Sequence, residues 1–153
     1  KSREEAGDVT ERYRLMWNDV KYEPGEICVK AYYPDDTLQQ TVRTAGKPHH
    51  LEVLGQDGQG LEPDGNDLYY LRVRVVDKDG NLCPNADNQI FFDVKGGTIA
   101  GVDNGSEFSL ERFKADNRKA FFGKCMVIVA PDANGKVSLK ARAVDLKDAS
   151  INL

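Results

Sequence analysis

The stretch from residue 63 to residue 81 constrains the fold of this chain more than any other part of the sequence. Between residues 68 and 77 apolar and polar side chains alternate, and a period of two is typical of a β-strand with one buried face. Asp-Gly pairs flank it at 64–65 and 79–80, and they favour tight turns because glycine adopts positive φ and aspartate can bond its own backbone. The pattern predicts one strand, with Leu71, Val73 and Val75 facing inward and Tyr70, Arg72 and Arg74 facing outward.

The second half of the chain repeats this pattern. Apolar runs predict further strands near residues 51–53, 90–94, 98–102, 121–129 and 137–143, with glycine, aspartate and asparagine between them. Short strands joined by such turns are typical of an immunoglobulin-like (Ig-like) β-sandwich, a fold of about 100 residues. We therefore predict an all-β protein in which residues 47–153 form an Ig-like β-sandwich domain.

Residues 1–46 are predicted to form a smaller, separate segment, because Gly46 and Pro48 interrupt any regular ladder at the joint. Strands are predicted at 27–31, with Ile27, Val29 and Ala31 facing inward, and at 37–44. Residues 9–20 fit a strand or an amphipathic helix, and the β-rich context favours the strand. Three strands are too few for a closed sandwich, so we interpret this segment as the C-terminal part of a truncated Ig-like module. Its exposed strand edges would leave it partly mobile or pair it with a second copy in a homodimer.

Composition excludes two classes of partner. The net charge is −4, whereas binding to nucleic acid needs a concentrated basic surface. No apolar run approaches the roughly 18 residues that a membrane-spanning helix requires. We therefore expect no nucleic-acid partner and no membrane span.

The three cysteines, Cys28, Cys83 and Cys125, lie far apart and include no Cys-x-x-Cys pair. Free and mostly buried thiols are the favoured interpretation. A disulfide between Cys83 and Cys125 is the alternative, and it would need Cα atoms within roughly 7 Å.

Two glycine-containing stretches resemble ligand loops. Residues 77–81 begin like a calcium loop, but an EF-hand has glycine at its sixth position and glutamate at its twelfth, where this chain has Leu82 and Asn88. A turn is therefore predicted there. Residues 55–60 lack the strand-to-helix context and the lysine of a phosphate cradle, which predicts a flexible loop. We expect neither a metal site nor a cofactor.

No catalytic residue is predicted from the polar side chains. His49 and His50 have no nucleophile or acid in a known motif beside them, which predicts an exposed loop pair. Asp103, Glu107 and Glu111 lie in a loop-rich stretch, where solvated carboxylates are the usual finding.

Aromatic side chains are the candidates for contact with carbohydrate. Trp17, Tyr69 and Tyr70 were selected because exposed aromatic rings can stack on sugars. Trp17 is also a candidate for the core, since one tryptophan commonly anchors a sandwich. Tyr69 and Tyr70 must face opposite ways along a strand, so one of them is expected to be exposed.

Several strings carry a family resemblance over nearly the whole chain. They are RLMWNDVKYEPGEICVKAY at 14–32, TVRTAGKP at 41–48, DGNDLYYLRVRVVDKDGNLCPNADNQIFFDV at 64–94, GTIAGVDNGS at 97–106, RKAFFGKCMVIV at 118–129 and VSLKARAVDLKDASINL at 137–153. Together they resemble the C-terminal Ig-like region of glycoside hydrolase family 2 enzymes, which are β-galactosidase-type proteins common in Bacteroides-like bacteria. Residues 106–108 depart from the family pattern, which often has an acid and a proline there.

The resemblance implies an accessory role. In that family the catalytic glutamates belong to an upstream (β/α)₈ barrel of the same polypeptide, so no catalytic residue is carried over to this chain. The parent would degrade carbohydrate and would be periplasmic or secreted, while this region would act as a scaffold or support the active site or a dimer. Two alternatives remain, an autonomous carbohydrate-binding module and a bacterial Ig-like surface spacer.

Overall fold

A computed structural model describes residues 17–55, 67–133 and 136–153 of the chain. It divides the chain into two compact units, Lys1–Arg43 and Thr44–Leu153. Every regular element in the described ranges is a β-strand. Correspondingly, no helix there is long and apolar enough to cross a membrane. The predicted loop at 55–60 falls almost wholly outside the described residues.

The first unit contains an antiparallel hairpin of β1 (Glu26–Tyr32) and β2 (Thr37–Arg43). Between the strands the Tyr33 amide donates to the Asp36 carbonyl at 2.8 Å. The Asp36 carboxylate also accepts the Thr37 amide at 2.6 Å, which closes the turn. Both predicted strands are confirmed.

The burial predicted for this unit is wrong. Ile27 and Val29 are 64% and 45% exposed, and the whole of β1 is exposed. The reason is that the described part of the unit supplies two strands and no second layer to cover either face. Trp17 is 58% exposed rather than part of a core. Residues 9–16 lie outside the described ranges, and 17–20 belong to no strand or helix.

The second unit is an Ig-like β-sandwich, as predicted. One sheet has the order β10-β9-β5-β7 and the other β3-β4-β8-β6, and all neighbouring strands are antiparallel. The strands are β3 (His50–Leu54), β4 (Tyr69–Val76), β5 (Gln89–Lys95), β6 (Gly97–Asp103), β7 (Asn117–Lys119), β8 (Lys124–Pro131), β9 (Ser138–Ala143) and β10 (Ala149–Asn152).

The core lies between the two sheets and follows the alternation of the sequence. In β4 the predicted inward residues are almost completely buried, while Tyr70 and Arg72 are exposed. Large apolar side chains of this core include Leu51, Leu71, Val73, Val75, Ile90, Phe92, Val102, Val127, Val129 and Leu139. Because both sheets contribute to one cluster, burial of this apolar surface is the main source of stability for the unit.

Two turns determine where strands begin. Gly96 has φ of +73°, and a Cβ atom there would lie 1.8 Å from the Lys136 carbonyl oxygen, so only glycine fits between β5 and β6. The strand predicted at 121–129 starts instead at Lys124. A turn precedes it, in which Phe122 and Gly123 have φ of 50° and 72°. β7 and β10 were not predicted.

Candidate functional surface

A fully buried arginine anchors one end of the sandwich. Arg118 lies on β7 with none of its side chain exposed. Its guanidinium donates from Nη2 to Asn104 Oδ1 at 3.0 Å and Asp103 Oδ1 at 3.4 Å, and from Nη1 to the Glu111 carbonyl at 3.2 Å. The Phe113 ring lies 5.3 Å from the guanidinium carbon, in cation–π contact. A buried charge of this kind needs such partners. These contacts therefore bind the loop between β6 and β7, residues 104–116, to β7.

Glu111 completes the cluster around Arg118. Its carboxylate lies 3.6 Å from Arg118 Nε and accepts the Gln89 amide at 3.1 Å, the Lys119 backbone N–H at 3.0 Å and the Ser109 hydroxyl at 3.1 Å. Partial burial raises the pKa of Glu111, but the hydrogen bonds from Gln89, Lys119 and Ser109 outweigh it and hold the pKa below its usual value. The prediction of a solvated carboxylate is therefore wrong for Glu111, whereas the Asp103 side chain is 41% exposed while it also contacts Arg118.

Sequence reasoning missed Arg118. The alternation there, with Arg118 and Ala120 buried on either side of the exposed Lys119, is visible only in the structure, because residues 117–119 are all polar. A buried arginine at an inward position runs against composition rules, since arginine is almost never fully buried unless it is paired.

The loop that Arg118 holds is well ordered on its inner side and apolar on its outer side. Asp103 Oδ1 accepts the Asn104 and Gly105 amides at 2.7 and 3.2 Å. The Asn104 side-chain amide donates to the Lys119 carbonyl at 2.8 Å. Outward, the loop exposes Phe108 and Leu110, which are 81% and 100% exposed.

A groove of about 430 Å³ lies on the β3-β4-β8-β6 sheet beside this loop. Two cross-strand rows form its floor. Leu54, Arg72 and Met126 make one row, and Arg74 stands directly opposite Lys124 in the next. The wall at one end is Asp103, Asn104 and Gly105. Because Asn104 is bound to Arg118, the buried cluster fixes the position of this wall.

The groove is rich in positive charge. Arg74 is paired with Glu52 on β3, Nη2 to Oε2 at 2.5 Å. Asp103, the acidic residue of the wall, is directed to Arg118. Among the residues that the structure describes, Arg72 and Lys124 have no carboxylate partner. Within those described ranges, two cations of the groove therefore remain unneutralised.

Tyr69 and Tyr70, the two aromatic candidates of the sandwich, do not form one platform. Tyr70 is 41% exposed on the outward face of β4, and its cross-strand neighbour in β8 is Ile128. Tyr69 points the other way and packs against the core, which confirms that only one of the pair is exposed. Trp17 belongs to the first unit. Of the two tyrosines, Tyr70 shares a face with the groove and lies two residues before Arg72 in β4.

The histidine pair is not an exposed loop. Both residues are half-buried, His50 begins β3, and the two Nδ1 atoms lie 3.0 Å apart. In this contact one ring nitrogen must donate and the other accept. The His49 amide donates to the Val76 carbonyl at 2.8 Å, and the pair therefore helps to join β3 to the end of β4.

The turn predicted at 77–81 is confirmed, with the carboxylate of Asp77 at its centre. Asp77 is buried and accepts the Gly46 amide at 2.8 Å and the Asp79 and Asn81 amides at 2.9 Å each. The Gly46 amide and the Asn81 side chain are the main reasons that the pKa of Asp77 lies far below its usual range. In the ranges that the structure describes, no three His, Cys, Asp or Glu side chains cluster as a metal site would require.

The cysteines are free thiols, and no Cys83–Cys125 disulfide forms. Cys83 and Cys125 are buried, whereas Cys28 is exposed on β1. Burial raises the pKa of the Cys125 thiol to about 12. The two buried thiols therefore behave as small apolar side chains of the sandwich.

Sequence comparison identifies two families along the chain. Residues 53–152 match the family described as glycoside hydrolase family 2 C-terminal domain 5. Residues 1–38 match a family described as a domain of unknown function, DUF4982. The first match covers most of the sandwich and more than half of the chain.

Similar proteins agree with these matches. The β-galactosidase BoGH2A of Bacteroides ovatus is 44% identical over 142 residues, which are 91% of this chain and 16% of that protein. A β-glucuronidase of Formosa agariphila is 28% identical over 92% of this chain and 15% of its own length. The chain therefore spans about a sixth of these curated relatives.

A solved structure shares the fold across nearly the whole chain. A family 2 glycosyl hydrolase of Bacteroides cellulosilyticus superposes with a TM-score of 0.82 at 28% identity, and the match covers 96% of this chain and 20% of that one. Fold, family match and relatives lead to one conclusion: the chain belongs to the glycoside hydrolase family 2 C-terminal domain 5 family.

Proposed function

We propose that this chain is a non-catalytic accessory region of a β-galactosidase-type family 2 glycoside hydrolase, with the catalytic barrel in the same polypeptide. One observation carries the proposal: 91% of this chain aligns at 44% identity with only 16% of a β-galactosidase. A segment that accounts for a sixth of an enzyme leaves most of that enzyme, including room for a barrel of about 250 residues, to other parts of the chain.

The carboxylates support this role. A typical glycosidase needs a pair of carboxyl groups, one of them with a raised pKa so that it can protonate the leaving group. In the part of the chain that the structure describes, every carboxylate with a shifted pKa has it lowered. Asp87 and Asp93 have lowered pKa values because Lys119 and Arg142 donate to them, and Asp77 and Glu111 are lowered by the contacts described above. Such groups stabilise turns and strands, and they are poor proton donors at neutral pH.

The scaffold role has a physical basis in two surfaces. Phe108 and Leu110 are exposed on a loop that the buried Arg118 holds in place, as expected of a surface that packs against another domain or subunit. The exposed edges of the hairpin offer unpaired backbone groups to a neighbouring strand. We propose that residues 1–46 are the C-terminal part of an Ig-like module that such a strand completes, in the same polypeptide or in a homodimer.

Two measurements test the accessory role. We expect the coding sequence upstream of Lys1, in the same reading frame, to contain a catalytic (β/α)₈ barrel. Tandem Ig-like copies without a barrel would instead identify a surface spacer. We also expect the chain alone to leave aryl β-galactosides and aryl β-glucuronides unhydrolysed. The pure chain could instead hydrolyse one of these substrates and lose that activity when one of its own carboxylates is substituted. That result would contradict a non-catalytic role.

A carbohydrate-binding module is the second candidate function. It is favoured by the groove next to the exposed Tyr70, because ligand sites combine a concave apolar surface with a few polar groups.

A further inference from the structure

We propose that the groove on the β3-β4-β8-β6 sheet binds an acidic saccharide, with Arg72 and Lys124 contacting its carboxylate. The inference rests on the proposed function in one respect, namely that sugar chains are the ligands available to this region. The site itself is argued from the register of the strands, the charges in the groove and the exposed ring beside it.

The register places like charges against each other. Arg74 on β4 is directly opposite Lys124 on β8, an arrangement that costs stability in an antiparallel pair. Glu52 opposes Arg74 from β3 and pairs with it, so one cation of the row is neutralised. Lys124 is left without a carboxylate among the described residues, and a bound anion would relieve the repulsion.

Arg72 extends the positive charge to the next row. Its cross-strand neighbours are Leu54 on β3 and Met126 on β8, both apolar, so no carboxylate stands opposite it in the ladder. An arginine guanidinium pairs with a carboxylate through two parallel hydrogen bonds, and it is well suited to a planar acid group. Arg72 and Lys124 are diagonal neighbours on two adjacent strands, which allows both to reach one carboxylate.

The remaining surfaces of the groove suit a sugar ring. Leu54 and Met126 provide apolar floor, and the volume of about 430 Å³ lies in the range of about 300–1,000 Å³ typical of ligand sites. Tyr70 lies two residues before Arg72 on the same face of β4, about 7 Å away along the strand. Its exposed ring would cover the apolar face of a second sugar unit while the first places its carboxylate between the cations.

The end wall is preorganised. The Asn104 side chain makes three hydrogen bonds within the protein: Oδ1 accepts from Arg118 and the Ser106 amide, and Nδ2 donates to the Lys119 carbonyl. Since the wall is already ordered, a ligand would not have to supply the cost of ordering it on binding.

The test is a titration of the intact 153-residue chain by calorimetry and by ¹⁵N–¹H NMR. Trigalacturonate is the acidic probe, β-1,4-galactotriose the neutral one, and sodium sulfate the simple anion. We expect saturable binding of trigalacturonate at millimolar concentration or below, with shifts at residues 70–74 and 124–126 and an affinity that falls as salt is added. Galactotriose should bind at least about tenfold more weakly, because the charge-assisted contacts are absent.

Substitutions locate the site. Arg72→Gln and Lys124→Gln should each weaken trigalacturonate binding by about tenfold or more, and Tyr70→Ala by a smaller factor. Arg142→Gln is the matched control, since Arg142 is an exposed arginine on the other sheet paired with Asp93 at 2.7 Å. That variant should bind as the parent chain does. Arg72 and Lys124 are both exposed, so thermal unfolding should remain within a few degrees of the parent.

Several results would overturn the proposal. They are the absence of saturable binding, equal affinity for galactotriose, equal affinity for sulfate, and equal losses in Arg142→Gln and Arg72→Gln. If one groove variant fails to fold, the chemical-shift map on the parent chain and the other variant still decide the location. The upstream coding sequence is read separately, so failure of the accessory role is distinguishable from failure of this site.

Discussion

The hairpin of the first unit and strands β4 and β8 of the sandwich have similar sequence patterns and opposite burial. In β1 the apolar residues at alternate positions are exposed, Ile27 at 64%, whereas the equivalent positions of β4 are at most 1% exposed. The difference is that a second sheet covers the inner face of β4, while the described residues of the first unit supply only two strands. Alternation thus specifies a strand with two different faces, and a covering layer decides whether one face is buried.

The largest contrast is expected in backbone protection. An isolated two-stranded hairpin is only marginally stable in water, so amides of residues 26–43 should exchange at least about 100-fold faster than those of 69–76 and 124–131 in a monomer. Hydrogen exchange followed by NMR, on a sample shown to be monomeric by ultracentrifugation, measures this. Equal protection of both regions in the monomer would show that the hairpin is covered, and the comparison would fail.

Two arginine–carboxylate contacts, one buried in the sandwich and one exposed in the hairpin, allow the effect of burial on stability to be compared. Arg118→Met removes a fully buried cation and leaves Asp103 and Glu111 without it, which should cost about 3–5 kcal/mol of unfolding free energy. Arg43→Met breaks the hairpin pair with Glu26, whose side chains are 60% and 45% exposed, and should cost at most about 1 kcal/mol. Urea unfolding followed by circular dichroism measures both. Equal losses of unfolding free energy in the two variants would mean that the burial of Arg118 does not increase the effect of removing it.

Two leucines give the same test without charge. Leu71→Ala in β4 empties a site that is 1% exposed and should cost about 2–5 kcal/mol, since it loses transfer free energy and leaves a cavity. Leu38→Ala in β2 starts from a side chain that is 56% exposed and should change stability by about 0.5 kcal/mol or less. Urea unfolding measures both losses, and the midpoints of the two variants are compared with the dependence of unfolding free energy on urea held constant. A Leu38→Ala loss as large as that of Leu71→Ala would indicate that something buries the hairpin face.

The smallest effect is expected in the pH dependence. Because the pKa of Asp77 is lowered on folding, its hydrogen bonds contribute stability above the unfolded pKa of about 3.9, and this contribution is lost as the pH falls below that value. Asp77→Asn should therefore lower stability at pH 7 and flatten its decline towards pH 3. Asp36→Asn, in the hairpin turn, is the control and should leave the acid unfolding of the sandwich unchanged. Parallel pH profiles for Asp77→Asn and the parent chain would contradict the assignment.

Local patterns predicted the regular part of the fold. The strands at 68–77 and 90–94 were predictable because a period of two is visible within a few residues, and the turn at 77–81 because Asp and Gly have local conformational preferences. β7 was not predictable, since its three residues are all polar and only pairing with β5 makes them a strand. β10 is similarly short and is recognisable through its ladder with β9.

The candidate site was predicted only in part. Tyr70 was a candidate from the sequence and lies beside the groove, but Arg72 was predicted only to face outward and Lys124 had no predicted role. Their significance depends on the register between β4 and β8, which joins segments more than 50 residues apart. No local pattern contains that information.

The sequence by itself determined most of the strands and the turn at 77–81, because those preferences act over a few neighbouring residues. It also specified which side chains of β4 face the same way. The tertiary structure alone decided which faces are buried and which side chains surround Arg118. It also decided which cations share the groove without an acidic partner among the described residues. These outcomes depend on contacts between segments that are distant in the sequence. The desolvation, charge pairing and packing at those contacts exist only once the two sheets have come together.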